Sequence, residues 1–339
     1  MFRQDRTNPS TAVSNWRGRH DSAKGWPSTA VSSWLNGGLF AVGPDQSAGA
    51  AYFVGGYTSW PPLNTMEKLT FATASIETLS AVLATARAYA AGTESSSHGY
   101  AAGGYSGAPS NLDSIERLVF STDSNAAISD TLSAARRALG AFASANDGYW
   151  LGGLAAVRVD TIDKTDFTDD STAAIVPDLD TATESSGTFA SADDGYYCGG
   201  YMGGGSPIID NISKTDFTND ATADIVPTLS AARYLVHGFA SADDGYTCGG
   251  GDASARMNLI DKTDFTNDAT AAITPVLTTL RDSGTCTQSA SHGYYAGGNA
   301  PSAASANINQ LDFSDDSVAS MSTTLAAAKI NLASYASAS

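Results

Sequence analysis

Charged side chains are scarce in this chain: 18 Lys and Arg and 35 Asp and Glu, 16% of 339 residues. With Gly, Ser, Thr and Ala abundant, that scarcity argues against a helical protein and suits many short strands joined by tight turns. Cysteine is nearly absent. Three cysteines make no disulfide framework, and Cys198, Cys248 and Cys286 are expected to be buried free thiols. The four histidines, His20, His98, His237 and His292, share no common position and supply no convergent ligand set, so no metal and no other cofactor is expected. The opening MFRQDRTNPS has no apolar core of a secretory signal, and no run is long and apolar enough to span a membrane. The expectation is a protein made and folded in the cytoplasm, without membrane insertion.

What is present is repetition, and a period of this length signals a repeat architecture. Tyr-x-x-Gly-Gly recurs at Tyr52, Tyr100, Tyr149, Tyr196, Tyr246 and Tyr294, at spacings of 48, 49, 47, 50 and 48 residues. A short apolar run with a central charge recurs with it: MEKLTF from Met66, IERLVF from Ile115, IDKTDF from Ile162, ISKTDF from Ile212, IDKTDF from Ile260 and INQLDF from Ile308. The third landmark is a leucine followed four residues later by Arg87, Arg136, Arg233, Arg281 or Lys329; one copy has Thr183 there.

Each copy reads as four strands. In one of them, YLVHGFAS from Tyr234 is the first strand, Asp243-Asp244-Gly245 a tight turn needing positive φ at the glycine, and GYTCGG the second strand. A variable loop follows, then NLIDKTDF, a second turn at Thr266-Asn267-Asp268, and ATAAITPVL. Pro275 inside that last run marks it as an edge strand. Ile260 and Phe265 are five apart and face opposite sides of the sheet. A sheet apolar on both faces must be covered on both, as a blade is between its neighbours in a propeller.

The period, the double glycine and the Leu-x-x-x-Arg resemble the kelch repeat over roughly 290 residues, from Tyr52 to the end. The tryptophan that such blades carry at the start of the fourth strand is replaced by Ile76, Ile128, Ile175, Ile225 and Ile273. This GYxxGG and IxKxDF variant looks like the kelch-like repeats in structural genes of tailed bacteriophages. The resemblance implies an all-β, six-bladed kelch-like β-propeller over residues 37–339, with an irregular arm at 1–36. The C-terminal KINLASYASAS matches a first strand and is expected to close the ring by completing the first blade. The segment around Phe40 is the competing candidate.

The arm holds a small duplication, NPSTAVSNW and WPSTAVSSW, and a net charge of +3 against −20 for the remainder. Its Arg3, Arg6, Trp16, Arg17, Arg19, Trp26 and Trp34 suit anchoring on a partner; the alternative is an arm folded over its own propeller. The acidic body repels nucleic acid and anionic membranes. Within the repeats, the loop after Gly-Gly varies, and variable loops on a regular scaffold are where recognition lives. Trp60, Tyr201 and Met202 are the partner-contact candidates there. The arginine series is expected to pair with acids such as Asp163 and Asp261 between blades. The Asp-rich turns recur in every blade, which points to scaffold duty over calcium binding or catalysis.

The expected function is a non-enzymatic phage virion protein. It would dock on other virion proteins through its arm, and present the propeller to a host-surface glycan or protein or decorate the particle. The alternatives are a carbohydrate-active propeller enzyme, needing an asymmetric acidic pocket at the ring's centre, and a cellular kelch-type scaffold.

Overall fold

A computed structural model describes residues 49–107, 110–203 and 208–337. Among these residues there are six antiparallel four-stranded sheets. From first to fourth strand, blade I is Ala333–Ser337, Ala50–Val54, Thr65–Thr70 and Ser75–Val82. Blade II is Ala91–Glu94, His98–Ala102, Ser114–Val119 and Ser124–Thr131. Blade III is Gly140–Ala143, Asp147–Leu151, Ile162–Asp166 and Thr172–Ala174. Blade IV is Gly187–Ala190, Asp194–Tyr201, Ile208–Asp216 and Thr222–Ile225. Blade V is His237–Ala240, Asp244–Cys248, Ile260–Asp264 and Thr270–Ala272. Blade VI is Asp282–Gln288, His292–Asn299, Asn307–Asp312 and Val318–Thr324.

Each first strand neighbours the next around a full circle, from blade I through blade VI and back. The chain is therefore a six-bladed β-propeller, with the first strands lining a central channel. Closure comes from the C-terminus: Ala333–Ser337 pairs antiparallel with Ala50–Val54, Tyr335 opposite Tyr52. Sequence order alone would leave blade I a strand short. The Phe40 segment lies outside the described residues.

Two local readings need correction. The glycine of the Asp-Gly turn was expected at positive φ; instead Gly245 lies within extended strand. Its necessity is steric: a Cβ there would lie 2.0 Å from the Phe189 ring of the preceding blade. The equivalent Gly195 and Gly293 meet Phe142 and Phe239 in the same way. Ser241 makes the turn itself, its Oγ accepting from the Asp243 and Asp244 amides. The fourth strand is also shorter than the apolar run suggested, ending at Ala272 ahead of Pro275, while Leu277 beyond it is buried in the core. The double glycine behaves as expected. Gly249 and Gly250 have φ of +65° and +86°, and a Cβ on Gly249 would lie 2.6 Å from the Arg281 carbonyl oxygen.

The faces of the third strand divide as their parity requires. Ile260 packs toward blade VI with Tyr295 and Leu311, and Phe265 packs back on blade IV against Phe189 and Tyr196. Every seam between blades has the corresponding Tyr–Phe stack, from Tyr52–Phe120 at 5.3 Å to Tyr294–Phe71 at 5.2 Å. Each such pair is worth about 0.5–1.5 kcal/mol beyond the area it buries.

Two polar devices repeat on top of this. At one, a basic residue leaving blade n pairs with an acid on the third strand of blade n+1. Arg87–Glu116, Arg136–Asp163 and Arg233–Asp261 are each 2.6 Å apart and fully buried, and Lys329 pairs with Glu67. The arginines also donate to strand-end carbonyls, Arg136 to that of Trp150 and Arg233 to that of Thr247. At the other, the repeat tyrosine and the third-strand base of blade n share an aspartate of blade n+1. Tyr149 and Lys164 on Asp220 are typical, at 2.7 and 3.1 Å. That aspartate sits at φ near +60°, a conformation Asp tolerates better than most residues. Its role is thus scaffold, in five blades and not in all six as expected, since blade I has Ala74 at this position. The first acid of each turn, such as Asp216, accepts from the amide and hydroxyl of Thr218, which holds its carboxyl below the usual range.

Candidate functional site

A residue present in every blade holds the ring together, so a site must be sought where the blades differ. The face carrying the loops after Gly-Gly is built in concentric layers. At its centre six backbone N–H groups each donate to the carbonyl of the preceding blade. The circle runs Tyr89, Ala138, Ser185, Leu235, Ser283, Asn331 and back to Tyr89, at 2.7–3.3 Å. All six residues have positive φ and none is glycine, a strained choice that the closed hydrogen-bonded circle maintains. Just outside, the residue after each Gly-Gly bridges the residue after the basic position: Tyr57 with Ile330, Tyr105 with Ala88, Leu154 with Arg137, Tyr201 with Glu184, and Tyr234 with Gly251.

The backbone of these layers is six-fold; the side chains are not. Across blades I and II, Trp60 lies 5.4 Å from the Tyr105 ring and meets Tyr57 edge-on at 5.8 Å. Tyr57 in turn lies 6.2 Å from Tyr89, their hydroxyls 3.3 Å apart. Arg137 also stacks on the Tyr105 ring, 4.9 Å from its centroid. It donates to Asn111 Oδ1 at 2.9 Å, while Asn111 Nδ2 donates to the Leu154 carbonyl at 2.9 Å. Trp60 is 50% exposed, so the group presents aromatic surface on a tied-down frame.

A second group crosses blades III to V. Arg158 lies 4.5 Å over the Tyr201 ring and pairs with Glu184, and Tyr201 meets Tyr234 at 5.8 Å. Met202 beside it is exposed. The structure therefore puts Trp60 and Tyr201 on the loop face, in two separate aromatic groups. Arg3, Arg6, Trp16, Arg17, Arg19, Trp26 and Trp34 lie outside the described residues. Sequence reasoning missed Tyr57, Tyr105, Asn111, Arg137, Arg158 and Glu184. A signal existed: the positions next to two landmarks are paired in every blade, so tabulating them would have exposed which blades carry aromatic or charged residues there.

The channel behind this face is lined largely by small residues. A Cβ on Gly92 would lie 2.3 Å from the Ser334 carbonyl oxygen of the neighbouring strand. The channel's half away from the loop face has a volume of about 210 Å³. Where blades III, IV, V and I place an aromatic ring, Phe142, Phe189, Phe239 and Tyr335, blades II and VI place Thr93 and Thr287, followed by Glu94 and Gln288. Burial pushes the Glu94 carboxyl up to about 7, against the pull of a hydrogen bond from Ala336. Burial also pulls His237 down to about 4. Among the described residues lining the channel, Glu94 is the one acid.

Among the described residues no group of three His, Cys, Asp or Glu is placed to hold a metal ion, and no helix is long and apolar enough to cross a membrane. Cys198 is buried as a free thiol, its pKa pushed up to about 12 by burial. Cys248 and Cys286 are also free and pack together between blades V and VI. A closed ring of blades with differentiated loops on one face supports a binding or protein-interaction role. No family model matches the chain, and a search of curated proteins finds no significant match.

Proposed function

We propose that this chain is a non-enzymatic attachment protein of a tailed-phage virion. The arm at residues 1–36 docks on other virion proteins, and the loop face of the propeller binds the host surface. The observation that carries the reading is the half-exposed Trp60, framed by Tyr57, Tyr105 and Arg137 on the face where the blades diverge. Aromatic and Arg side chains held on a rigid frame are what interface anchors are made of. The kelch-like GYxxGG and IxKxDF repeats, similar to those of phage structural genes, supply the setting. The reading places the protein on the virion, with no cofactor and no nucleic acid partner.

The test has two parts. Particles assembled with a chain lacking residues 1–36 are expected to lose the protein, and particles that keep it remove the arm from the docking role. Labelled full-length chain is expected to bind intact host cells, with Trp60→Ala lowering the bound fraction at least tenfold and the melting temperature unchanged. Equal binding by the variant removes the loop face from attachment.

A further inference from the structure

The cations of this propeller are almost all spoken for. Every described lysine and arginine except two sits within ion-pair distance of an aspartate or glutamate. One exception, Arg281, is fully buried and donates to Asn309 and to the carbonyls of Gly297 and Asn307. The other is Arg137, half-buried at the edge of the Trp60 group. In a body with 33 acids and 13 bases over residues 37–339, an accessible guanidinium facing no carboxylate departs from the rule the rest of the molecule follows.

Its surroundings orient the cation without neutralising it. The neutral Asn111 amide accepts one N–H and is itself tied to the Leu154 and Ala155 carbonyls. The Tyr105 ring supports the guanidinium plane from one side. A fixed, planar guanidinium with its remaining N–H donors unused is suited to a carboxylate or sulfate group in a two-pronged contact. The neighbouring surface is a different chemistry: Trp60, half-exposed and tilted 40° to the Tyr105 ring, offers an apolar face. Trp60 lies over the strand of Gly107, where an added Cβ would come within 3.9 Å of its ring. Tyr57 and Tyr89 add hydroxyl groups alongside.

A ligand matching this arrangement has an apolar face the size of one ring, hydroxyls on its rim and a single negative group at its edge. We propose that the surface cluster formed by Tyr57, Trp60, Tyr105, Asn111 and Arg137 binds an acidic saccharide unit, its ring face on Trp60 and its anionic group on Arg137. This rests on the loop face being the binding face. The strongly acidic propeller repels densely charged polymers, so the glycan carries its charges sparsely.

The test measures binding of the full-length chain to three immobilised oligosaccharides of equal length. One alternates uronic acid with neutral sugar, one is its carboxyl-reduced neutral counterpart, and one carries sulfate in place of the carboxylate. An acidic form is expected to bind at least tenfold more tightly than the neutral one, and the carboxylate and sulfate arms tell the two anions apart. Arg137→Gln is expected to erase the difference, leaving acidic and neutral sugars equal, while Trp60→Ala lowers binding to all. Unchanged melting temperatures show that both variants fold. The proposal is overturned if neutral and acidic sugars bind alike to the natural chain, or if Arg137→Gln keeps the preference. It is also overturned if binding appears only after residues 1–36 are removed, which would make the chain's own arm the occupant. Host-cell binding without any saccharide binding sinks this inference and leaves the attachment reading standing; loss of cell binding itself sinks the latter.

Discussion

Five of the six seams between blades share a tyrosine, a base and an aspartate; the seam between blades VI and I does not. There, Gln310 stands where the others have Lys or Arg, and Ala74 stands at the positive-φ position the others give to Asp. Both members of the charge pair are gone together, so no lone charge is stranded. Gln310 donates to the Tyr294 hydroxyl at 3.4 Å, and the Thr323 hydroxyl donates to the Ala74 carbonyl at 2.5 Å. The buried Lys329–Glu67 pair is kept, and beside it the seam relies on apolar packing. Phe53, Leu69, Phe71, Ile308, Leu325 and Leu332 pack into one cluster with the Tyr294–Phe71 stack at its centre.

The buried pair shows the same logic at another place. Between blades III and IV, Thr183 replaces the base and Ser213 the acid, and the Tyr197 hydroxyl bonds Thr183 instead. At these two seams the charge partners are lost together; between blades V and VI only the acid is replaced, by Asn309, and the buried Arg281 is held by that amide and the Gly297 and Asn307 carbonyls. A buried ion pair can give way to well-packed neutral groups at little cost, whereas removing one partner is expensive.

That contrast can be broken most sharply at a regular seam. Arg136→Met leaves Asp163 buried without its cation, with only the Ser133 amide and hydroxyl to bond. The expected loss is about 3–5 kcal/mol, read by chemical denaturation. Arg136→Met with Asp163→Leu is expected to recover most of it. A double variant no more stable than the single one would mean that the pair itself, and not the stranded acid, sets the cost.

A smaller effect is expected from moving the shared aspartate. Asp220→Asn removes the charge that Tyr149 and Lys164 share, at a cost of about 1–2 kcal/mol. Building the same group at the apolar seam, Ala74→Asp with Gln310→Lys, is expected to add about 1 kcal/mol, because Asp also suits the positive φ of that site. A melting temperature that falls in this double variant would show that the seam's apolar packing has no room for the charges.

The mildest test sets the channel against the seams, using an acid with no place in the repeat. The Glu94 carboxyl titrates near 7 in the folded chain and near 4.5 when unfolded. The folded state therefore holds the proton over that window, and stability falls as pH rises through it. Glu94→Gln abolishes the slope. The variant is expected to match the natural chain near pH 4 and exceed it by about 1 kcal/mol at pH 8, a figure reduced for partial exposure. Parallel pH–stability curves for the two proteins would remove Glu94 as the cause.

Much of this architecture could be read from the chain. Six evenly spaced Tyr-x-x-Gly-Gly motifs give the blade number, and the match of KINLASYASAS to a first strand gives the closure. The basic residue after the leucine predicts the buried pairs on Asp163 and Asp261, but not that Arg281 meets the neutral Asn309. The glycine of the Asp-Gly turn was misjudged because its constraint is not local: the obstacle is a phenylalanine ring about 50 residues earlier in the chain. The candidate site was legible only as single residues. Trp60 and Tyr201 stood out by type and by variable surroundings, but Arg137 looked like a duplicate of its neighbour Arg136.

The sequence by itself determined the number of blades, the four-strand plan and the pairing of base with acid, because each is written as a repeated local pattern whose period the backbone must obey. Only the tertiary structure decided which unrepeated side chains meet. Trp60, Tyr105 and Arg137 belong to three different connections between strands and lie up to 77 positions apart. Ring closure turns that separation into contact, since the loops at one end of every blade converge on a common face around the channel. The same convergence leaves Arg137 facing an amide while its neighbour Arg136 is buried on a carboxylate.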